Sequence, residues 1–358
     1  MQGTFEEGVV RVGGDARQRF YDARGYGRPL SGNRIELAPV EAAHLLFRGD
    51  LDAVVVPESD DHLDFRDFLV ATGAVLEFVV YKDLRDRGFY LSPAREEWVD
   101  DPEGADLIVY PRGKGPGDGA VEHRVRIAGE RESIRAATLG DAVLAVVDEE
   151  GELTYFETDR SGSAGTEATA EDRDGGGDPD ASRYTLPSDL EASLLADRAV
   201  AWDPPDDLHD RGFYGQRLQG RGADAGPIQL SLVEAAYLAR RGALDLAEPR
   251  VVERGRQVEG SRFDRRLRAY AALRAAGSVP KSGFKFGADF RTYDDFTAVE
   301  EMSHSTRLIR VVTPDHTFLP RDLSLDVRLA GGVRKRMVFA LTDVNEGIDW
   351  LSVARLTP

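Results

Sequence analysis

The 358-residue chain sets 46 Lys and Arg against 64 Asp and Glu, a formal charge of −18, yet 41% of its residues are hydrophobic. It has the material for cores and is not a solvating tail. With no cysteine, disulfides, thiolate zinc sites, cysteine nucleophiles and iron–sulfur clusters are excluded. The six histidines, His44, His62, His123, His209, His304 and His316, show no ligand spacing, so no metal site is expected.

In chain order, the opening MQGTFEEGVVRVGG has neither a basic start nor an apolar core. No run approaches the ~18 apolar residues of a membrane span, so a soluble, cytoplasmic protein is expected. Val40 to Phe47 carries apolar residues at helical spacing. Ala105 to Tyr110, Val143 to Val147 and Leu153 to Phe156 read as strands. The acidic run Asp148, Glu149, Glu150, Gly151, Glu152 lies between the last two as a polar hairpin turn. From Glu157 to Arg183 the chain has no aromatic or large aliphatic residue and reads as a flexible linker. Beyond it, Val233 to Ala239 and Phe263 to Ala275 read as helices, the latter stopped by Gly277 and Pro280. Phe284 to Tyr293, Thr306 to Val312, Met337 to Leu341 and Trp350 to Val353 read as strands. Ser324 to Gly331 begins a helix.

The two halves repeat each other. Leu37-Ala-Pro-Val40-Glu41-Ala42-Ala43 with Arg48-Gly49 and Leu51-Asp52 recurs as Leu230-Ser-Leu-Val233-Glu234-Ala235-Ala236 with Arg241-Gly242 and Leu244-Asp245, at one constant offset. Ala105-Asp106 before Tyr110 likewise parallels Ala288-Asp289 before Tyr293. This is a tandem duplication of a mixed α/β (α+β) unit, each with a helical front part and a sheet-rich back part. The expected segments are 1–75, 76–157, the linker 158–184, 185–261 and 262–358.

Only five positive charges are lysines, Lys82, Lys114, Lys281, Lys285 and Lys335, and three of them fall between Pro280 and Ala340. This bias to arginine, with surplus carboxylate keeping molecules hydrated and mutually repelling, points to a halophilic archaeon. In such a chain Lys335 needs a local reason, and Tyr293 with His304 supplies one. Cutting RNA by transesterification requires a base for the 2′-hydroxyl, an acid for the departing 5′-oxygen and a cation beside the phosphorane. Tyr293, His304 and Lys335 fit those roles without a metal. A tyrosine, with an ordinary pKa of ~10, needs help from neighbouring charge such as Lys335 or Arg334 to act as base. Taken singly, each residue has a plainer reading as packing, capping or solvated surface. When Tyr110 is aligned with Tyr293, the counterpart of Lys335 falls at Leu139 or Gly140, and His123 falls near His304 although the strand register then disagrees.

FKFGADFRTY, the His-Ser before a strand ending in RVV, and RLAGGVRKRMVFA resemble, in order and spacing, the signature blocks of the archaeal tRNA-splicing (tRNA-intron) endonuclease family. The resemblance spans the whole chain and is to the fused two-unit form, whose first unit is non-catalytic; it implies that the sheet-rich back part of each unit is nuclease-like. It implies a homodimer that excises introns from precursor tRNA at bulge–helix–bulge motifs, with precursor rRNA as a second candidate substrate, leaving 2′,3′-cyclic phosphate and 5′-hydroxyl ends and using no cofactor. It further implies that Arg328 and Arg355 sandwich a flipped-out base, with Arg334 and Ser305 beside phosphates. It also implies that Asp148, Glu149, Glu150 and Glu152 insert into a basic pocket of a partner unit. Two rivals stand beside this reading. One is an RNA-binding paralogue that does not cut. The other is a metal-dependent nuclease using Asp289 with Glu300 or Glu301, against which no D…E-x-K arrangement is found.

Overall fold

The computed structural model describes residues 1–102, 104–160, 185–220, 223–294, 296–343 and 347–358. The expected linker lies almost wholly at 161–184, outside the described residues. Each half opens with a small sheet. Strands Gln2–Glu6, Val9–Val12, Arg28–Pro29, Ile35–Leu37, Ala53–Val56 and Asp61–Leu63 form one. Strands Ala192–Leu194, Arg198–Ala201, Gln216–Arg217 and Ile228–Ser231 form the other.

The same device starts the helix after each small sheet. In α1 (Pro39–Phe47), Pro39 occupies the first turn, where no amide hydrogen is needed. The buried Glu41 carboxylate accepts from the Ala38 amide at 3.0 Å and the Gly27 amide at 2.7 Å. In a later helix, Leu232–Arg240, Ser231 and Glu234 form a reciprocal capping box, and Glu234 also accepts from the Gly215 amide at 3.0 Å. Gly27 and Gly215 are left-handed, with φ of 70° and 58°. A Cβ on either would lie 2.2 or 2.4 Å from a backbone oxygen, of Glu36 or Gln229 respectively, so both positions require glycine. Carboxylate and glycine together are duplicated.

The back parts of the two halves merge. In chain order their strands are β1 (Leu91–Pro93), β2 (Leu107–Val109), β3 (His123–Gly129), β4 (Ala142–Val147), β5 (Leu153–Asp159), β6 (Val279–Ser282), β7 (Phe290–Tyr293), β8 (Arg307–Val312), β9 (Arg336–Leu341) and β10 (Asp349–Leu356). They form one ten-stranded sheet in the order β6-β7-β8-β9-β10-β5-β4-β3-β2-β1. At its centre β5 and β10 run antiparallel, with Glu157 opposite Ala354. The Glu157 carboxylate crosses this seam to Arg336 at 2.8 Å.

Alternating strand residues serve two faces. On one face Val143, Ala145 and Val147 pack with Val80, Tyr81 and Leu84 of α2 (Val75–Asp86). Correspondingly, Ile309, Val311, Val338 and Ala340 pack with Phe263, Leu267 and Tyr270 of the helix Arg262–Ala275. On the other face Leu144, Val146 and Phe156 of the first half share a core with Met337, Phe339, Leu351 and Val353 of the second. The helix Pro320–Gly332 covers this core with Leu323, Val327 and Ala330. Burying each large side chain contributes about 1.5–3 kcal/mol, so this shared core binds the halves together.

The expected strand from Phe284 is corrected. Phe284–Phe286 is a 3-10 turn, and the strand begins at Phe290. Gly283 has no room for a Cβ, which would lie 2.8 Å from the Ala288 carbonyl oxygen, and Gly287 is left-handed at φ 68°. The chain therefore turns back between β6 and β7. Pro280 is tolerated because β6 is the sheet edge.

Candidate active site

Three segments converge at one end of β7, β8 and β9. The helix Pro320–Gly332 ends in a Schellman motif: Arg334 donates its amide to Gly331 at 3.0 Å and Lys335 to Ala330 at 2.9 Å. Arg334 takes the left-handed position (φ 55°) usually given to glycine. That reversal delivers Lys335 to the first position before β9. Its Nζ donates to the Ser305 carbonyl at 2.6 Å, tying it to the segment that carries His304.

Tyr293 closes β7 and is 6% exposed. Its ring meets Phe213 edge-on at 5.6 Å, and Phe213 stacks on Phe296 at 5.2 Å. Its hydroxyl oxygen accepts from Arg291 Nε at 3.1 Å. The next residue, Asp294, accepts from Ser278 at 2.7 Å and also from Thr306 and Arg307. Burial opposes the Asp294 charge, but these three donors hold its carboxyl below the usual range.

Tyr293, His304, Ser305 and Lys335 line a single cleft of about 380 Å³, with Phe286 and Arg291 beside them. His304 stands exposed at its rim. Burial, and then the charge of Arg291, hold Lys335 below the usual lysine range. The arrangement supplies a phenol, an imidazole and an ammonium around one solvent-open space, the parts needed for proton transfer at a phosphate.

Arg328, Arg334 and Arg355 do not line this cleft. All three are exposed. The β9–β10 register, with Met337 opposite Val353, places Arg355 opposite Lys335 if continued by two residues. Arg355 also lies opposite Phe156 in β5, so it marks the seam between the halves. Sequence reasoning missed Arg291, Phe213, Phe286 and Met302. Only Arg291 left a signal, since residues two apart on a strand share a face.

The residues of the metal-nuclease rival are otherwise occupied or apart. Asp289 is paired with Arg262 at 2.7 Å and Arg266 at 3.0 Å and accepts from the Val311 amide at 2.8 Å. Glu300 and Glu301 are exposed. Among the described residues no three His, Asp or Glu side chains gather as a metal site would require. Asp106 repeats the structural role of Asp289, accepting from the Ile127 amide at 2.7 Å.

Strand pairing aligns the two halves independently. The row Ser282, Phe290, Ile309, Val338, Ser352 crosses β6 to β10. The row Pro93, Leu107, Val125, Val143, Glu157 crosses β1 to β5. Counting from these rows, Tyr110 matches Tyr293, but Gly140 stands for Lys335, Ala120 for His304 and Ile108 for Arg291. His123 matches Arg307, not His304, which accounts for the register disagreement in the sequence. Tyr110 donates its hydroxyl to Ser92 at 3.0 Å instead of meeting an arginine. The first half also has a short 3-10 turn, Ala136–Thr138, between β3 and β4, where the second has the helix ending at Lys335.

The acidic loop is an ordered turn between β4 and β5. Asp148 Oδ1 accepts from the Glu150 and Glu152 amides at 2.9 and 2.8 Å, leaving Glu150 and Glu152 exposed. A second cleft, of about 430 Å³, lies between the four-stranded sheet and β6–β7 and is lined by Arg198, Arg266, Lys281, Lys285 and Arg291.

A duplicated mixed α/β fold whose second half gathers a phenol, an imidazole and an ammonium around one nuclease-like cleft defines the class. The chain belongs to the tRNA intron endonuclease family. The model of that family's catalytic C-terminal domain matches residues 263–350, and that of its N-terminal domain matches twice, at residues 1–69 and 190–253. The chain is 64% identical to the tRNA-splicing endonuclease of Haloferax volcanii and 55% to that of Haloarcula marismortui, covering 100% of each chain. It is 35% identical to the tRNA-splicing endonuclease of Methanosarcina acetivorans over 99% of both chains. The haloarchaeal relatives fit the halophilic origin expected from composition. No helix among the described residues is long and apolar enough to cross a membrane.

Proposed function

We propose that this chain excises introns from precursor tRNA in the cytoplasm by metal-independent attack of a ribose 2′-hydroxyl on the adjacent phosphate at bulge–helix–bulge motifs. The observation that carries this reading is the convergence of Tyr293, His304 and Lys335 on one cleft in a family catalytic domain. Tyr293 takes the 2′-hydroxyl proton, and the 2′-oxygen bonds to phosphorus. His304 gives a proton to the departing 5′-oxygen, and the Lys335 ammonium stabilises the charge on the phosphorane. The products are a 2′,3′-cyclic phosphate and a 5′-hydroxyl.

In this reading segments 1–75 and 76–157 form a non-catalytic unit, and 185–261 and 262–358 form the cutting unit. The loss of the Lys335, His304 and Arg291 counterparts supports that division. Arg328 and Arg355 hold a flipped base by cation–π contact, and Arg334 and Ser305 neighbour phosphates. The chain works as a homodimer in which Asp148, Glu149, Glu150 and Glu152 dock in a partner's basic cleft. The cleft bordered by Arg198, Arg266 and Lys281 brings cations together, each already paired within the chain, with Asp197, with Glu259 and Asp289, and with Glu234, so docking there exchanges ion-pair partners. A symmetric dimer presents two equivalent sites at fixed spacing, suited to two bulges flanking a short helix. Precursor rRNA with the same motif is a second substrate.

The test is cleavage of an end-labelled bulge–helix–bulge RNA in high KCl with EDTA, mapping both product ends beside a His304→Ala control. Two cuts with cyclic-phosphate and 5′-hydroxyl ends, lost in the control, support the reading. Binding without cutting supports the non-catalytic alternative, and cutting only with added Mg²⁺ overturns the triad.

A further inference from the structure

Among the described residues Arg291 is the one cation with a hydrogen bond to the tyrosine at the centre of the cleft, and neither the motif spacing nor the roles given above use it. Its Nε lies 3.1 Å from the Tyr293 hydroxyl oxygen and its guanidinium carbon 5.9 Å from the ring centroid. An N–H of arginine can only donate, so the phenol oxygen accepts here and its own proton is directed away from Arg291. The guanidinium charge makes this bond charge-assisted already, and a phenolate accepts it more strongly than a phenol does because opposite charges then attract.

The surroundings hold this geometry. Tyr293 is gripped by Phe213, whose carbonyl accepts from Lys281 Nζ at 3.0 Å. Arg291 lies in β7 opposite Lys281 of β6 and Leu308 of β8. Among the described charged groups beside it, Lys281 is engaged with Glu234 at 2.9 Å and Lys335 with the Ser305 carbonyl, and Lys285 lines the same cleft. Among the described residues no carboxylate lines that cleft. On the side of this cleft Arg291 has the Tyr293 hydroxyl oxygen as its acceptor, while Asp197 and Glu234 line the neighbouring cleft that Arg291 also borders. In the non-catalytic half the matching tyrosine keeps its hydroxyl as a donor to Ser92, and the matching residue is Ile108.

We propose that Arg291 is a positioning residue that orients the Tyr293 oxygen and stabilises its phenolate, making Tyr293 a competent base. This rests on the assignment of Tyr293 as base. In the step, the 2′-hydroxyl proton passes to the phenolate while the 2′-oxygen bonds to phosphorus and the P–O5′ bond breaks, with His304 supplying the proton to O5′. Arg291 gives up no proton and forms no bond to substrate. After burial, its charge is the second cause that holds Lys335 below the usual lysine range, so the same residue faces both base and cation.

The test compares full-length wild type, Arg291→Gln and Arg291→Lys in single-turnover cleavage from pH 5.5 to 10 in high KCl with EDTA. Affinity is measured on a substrate carrying 2′-deoxyribose at the cut site. Arg291→Gln is expected to move the rising limb of the rate–pH profile up by about one unit or more, as loss of an opposite charge at this distance does. The rate should fall at least ten-fold at pH 7 and recover towards wild type at pH 10, with affinity within about three-fold. Arg291→Lys, which keeps the charge but not the planar donor, should shift the limb less. An unmoved limb overturns the proposal, whether the rate is unchanged, falls equally at every pH, or falls only through weaker binding. Tyr293→Phe separates the two failures: if it retains full activity the assignment of the base fails, whereas an inactive Tyr293→Phe with an unmoved Arg291→Gln profile defeats only the role of Arg291.

Discussion

Lys281→Met offers a prediction with an internal control, because the chain contains the same buried carboxylate twice. Glu234 is fully enclosed, accepts from the Gly215 and Ser231 amides, and is paired with Lys281 Nζ at 2.9 Å. Burial pushes its carboxyl up, but the lysine and the amide bonds hold it below the usual range. Glu41 has the same two amide bonds, but the counterpart of Lys281 is Ser92. Burial there pushes the carboxyl from 4.5 up to about 7. Removing Lys281 should bring Glu234 close to the state of Glu41, which differs in lacking the bond that the Ser231 hydroxyl donates to Glu234 at 2.9 Å. A shift of that size, about 2.5 units at 1.36 kcal/mol each, gives a cost of roughly 3 kcal/mol. This agrees with the ~3–5 kcal/mol for breaking a buried pair from one side. The sign follows from linkage: a carboxyl whose folded pKa is raised contributes stability below its unfolded pKa and loses it as pH rises through the folded value. Urea unfolding of Lys281→Met in high KCl should therefore show a deficit that is small near pH 5 and grows towards pH 8. A deficit independent of pH, or one below about 0.5 kcal/mol at pH 8, refutes the reasoning.

Four further outcomes follow from named contacts. Tyr293→Phe and His304→Ala should each slow single-turnover cleavage by about 10²–10⁴-fold, the usual worth of a general base or acid, with little change in RNA affinity. Lys335→Ala should cost about 10²–10³-fold in rate, as loss of a charge-stabilising donor does. Arg334→Gly should relieve a left-handed non-glycine residue and raise the thermal midpoint by an amount corresponding to ~1 kcal/mol. If Arg334 also neighbours a phosphate, RNA binding should weaken and its salt dependence should flatten. Replacing Asp148, Glu149, Glu150 and Glu152 together with Ala should give monomers by light scattering; an unchanged dimer contradicts the docking of this loop.

The sequence carried the parts of this fold that repeat or alternate. The helix Arg262–Ala275 and strand β9 were legible because 3.6 and 2 periods serve one buried face each. The helix Glu248–Glu259 went unread: only Val251 and Gly255 of it are buried, and Gly255 belongs there because a Cβ would strike the Phe263 ring at 2.2 Å. The β5–β10 seam was also illegible, since it pairs strands separated by most of a repeat, and propensity says nothing about which edge meets which. At the site, spacing brought out Tyr293, His304 and Lys335, and the cleft contains all three. The aromatic support from Phe213, some eighty residues before Tyr293, and the placing of Lys335 by the reversal at Arg334 are long-range features that no periodic pattern records. The first half shows the converse. Tyr110 survives there, and His123, which falls near His304 in the sequence with a disagreeing register, is placed by the strand pairing at the position of Arg307.

The central claim is that the 2′-hydroxyl itself is the nucleophile, driven by side chains alone. Its most direct test is single-turnover cleavage, in high KCl with EDTA, of two bulge–helix–bulge RNAs that differ only by 2′-deoxyribose before one scissile phosphate. The account requires that the deoxy position stay uncut while the other bulge is cleaved at the normal rate. Cleavage at the deoxy position, leaving a 3′-hydroxyl or 3′-phosphate, would contradict it.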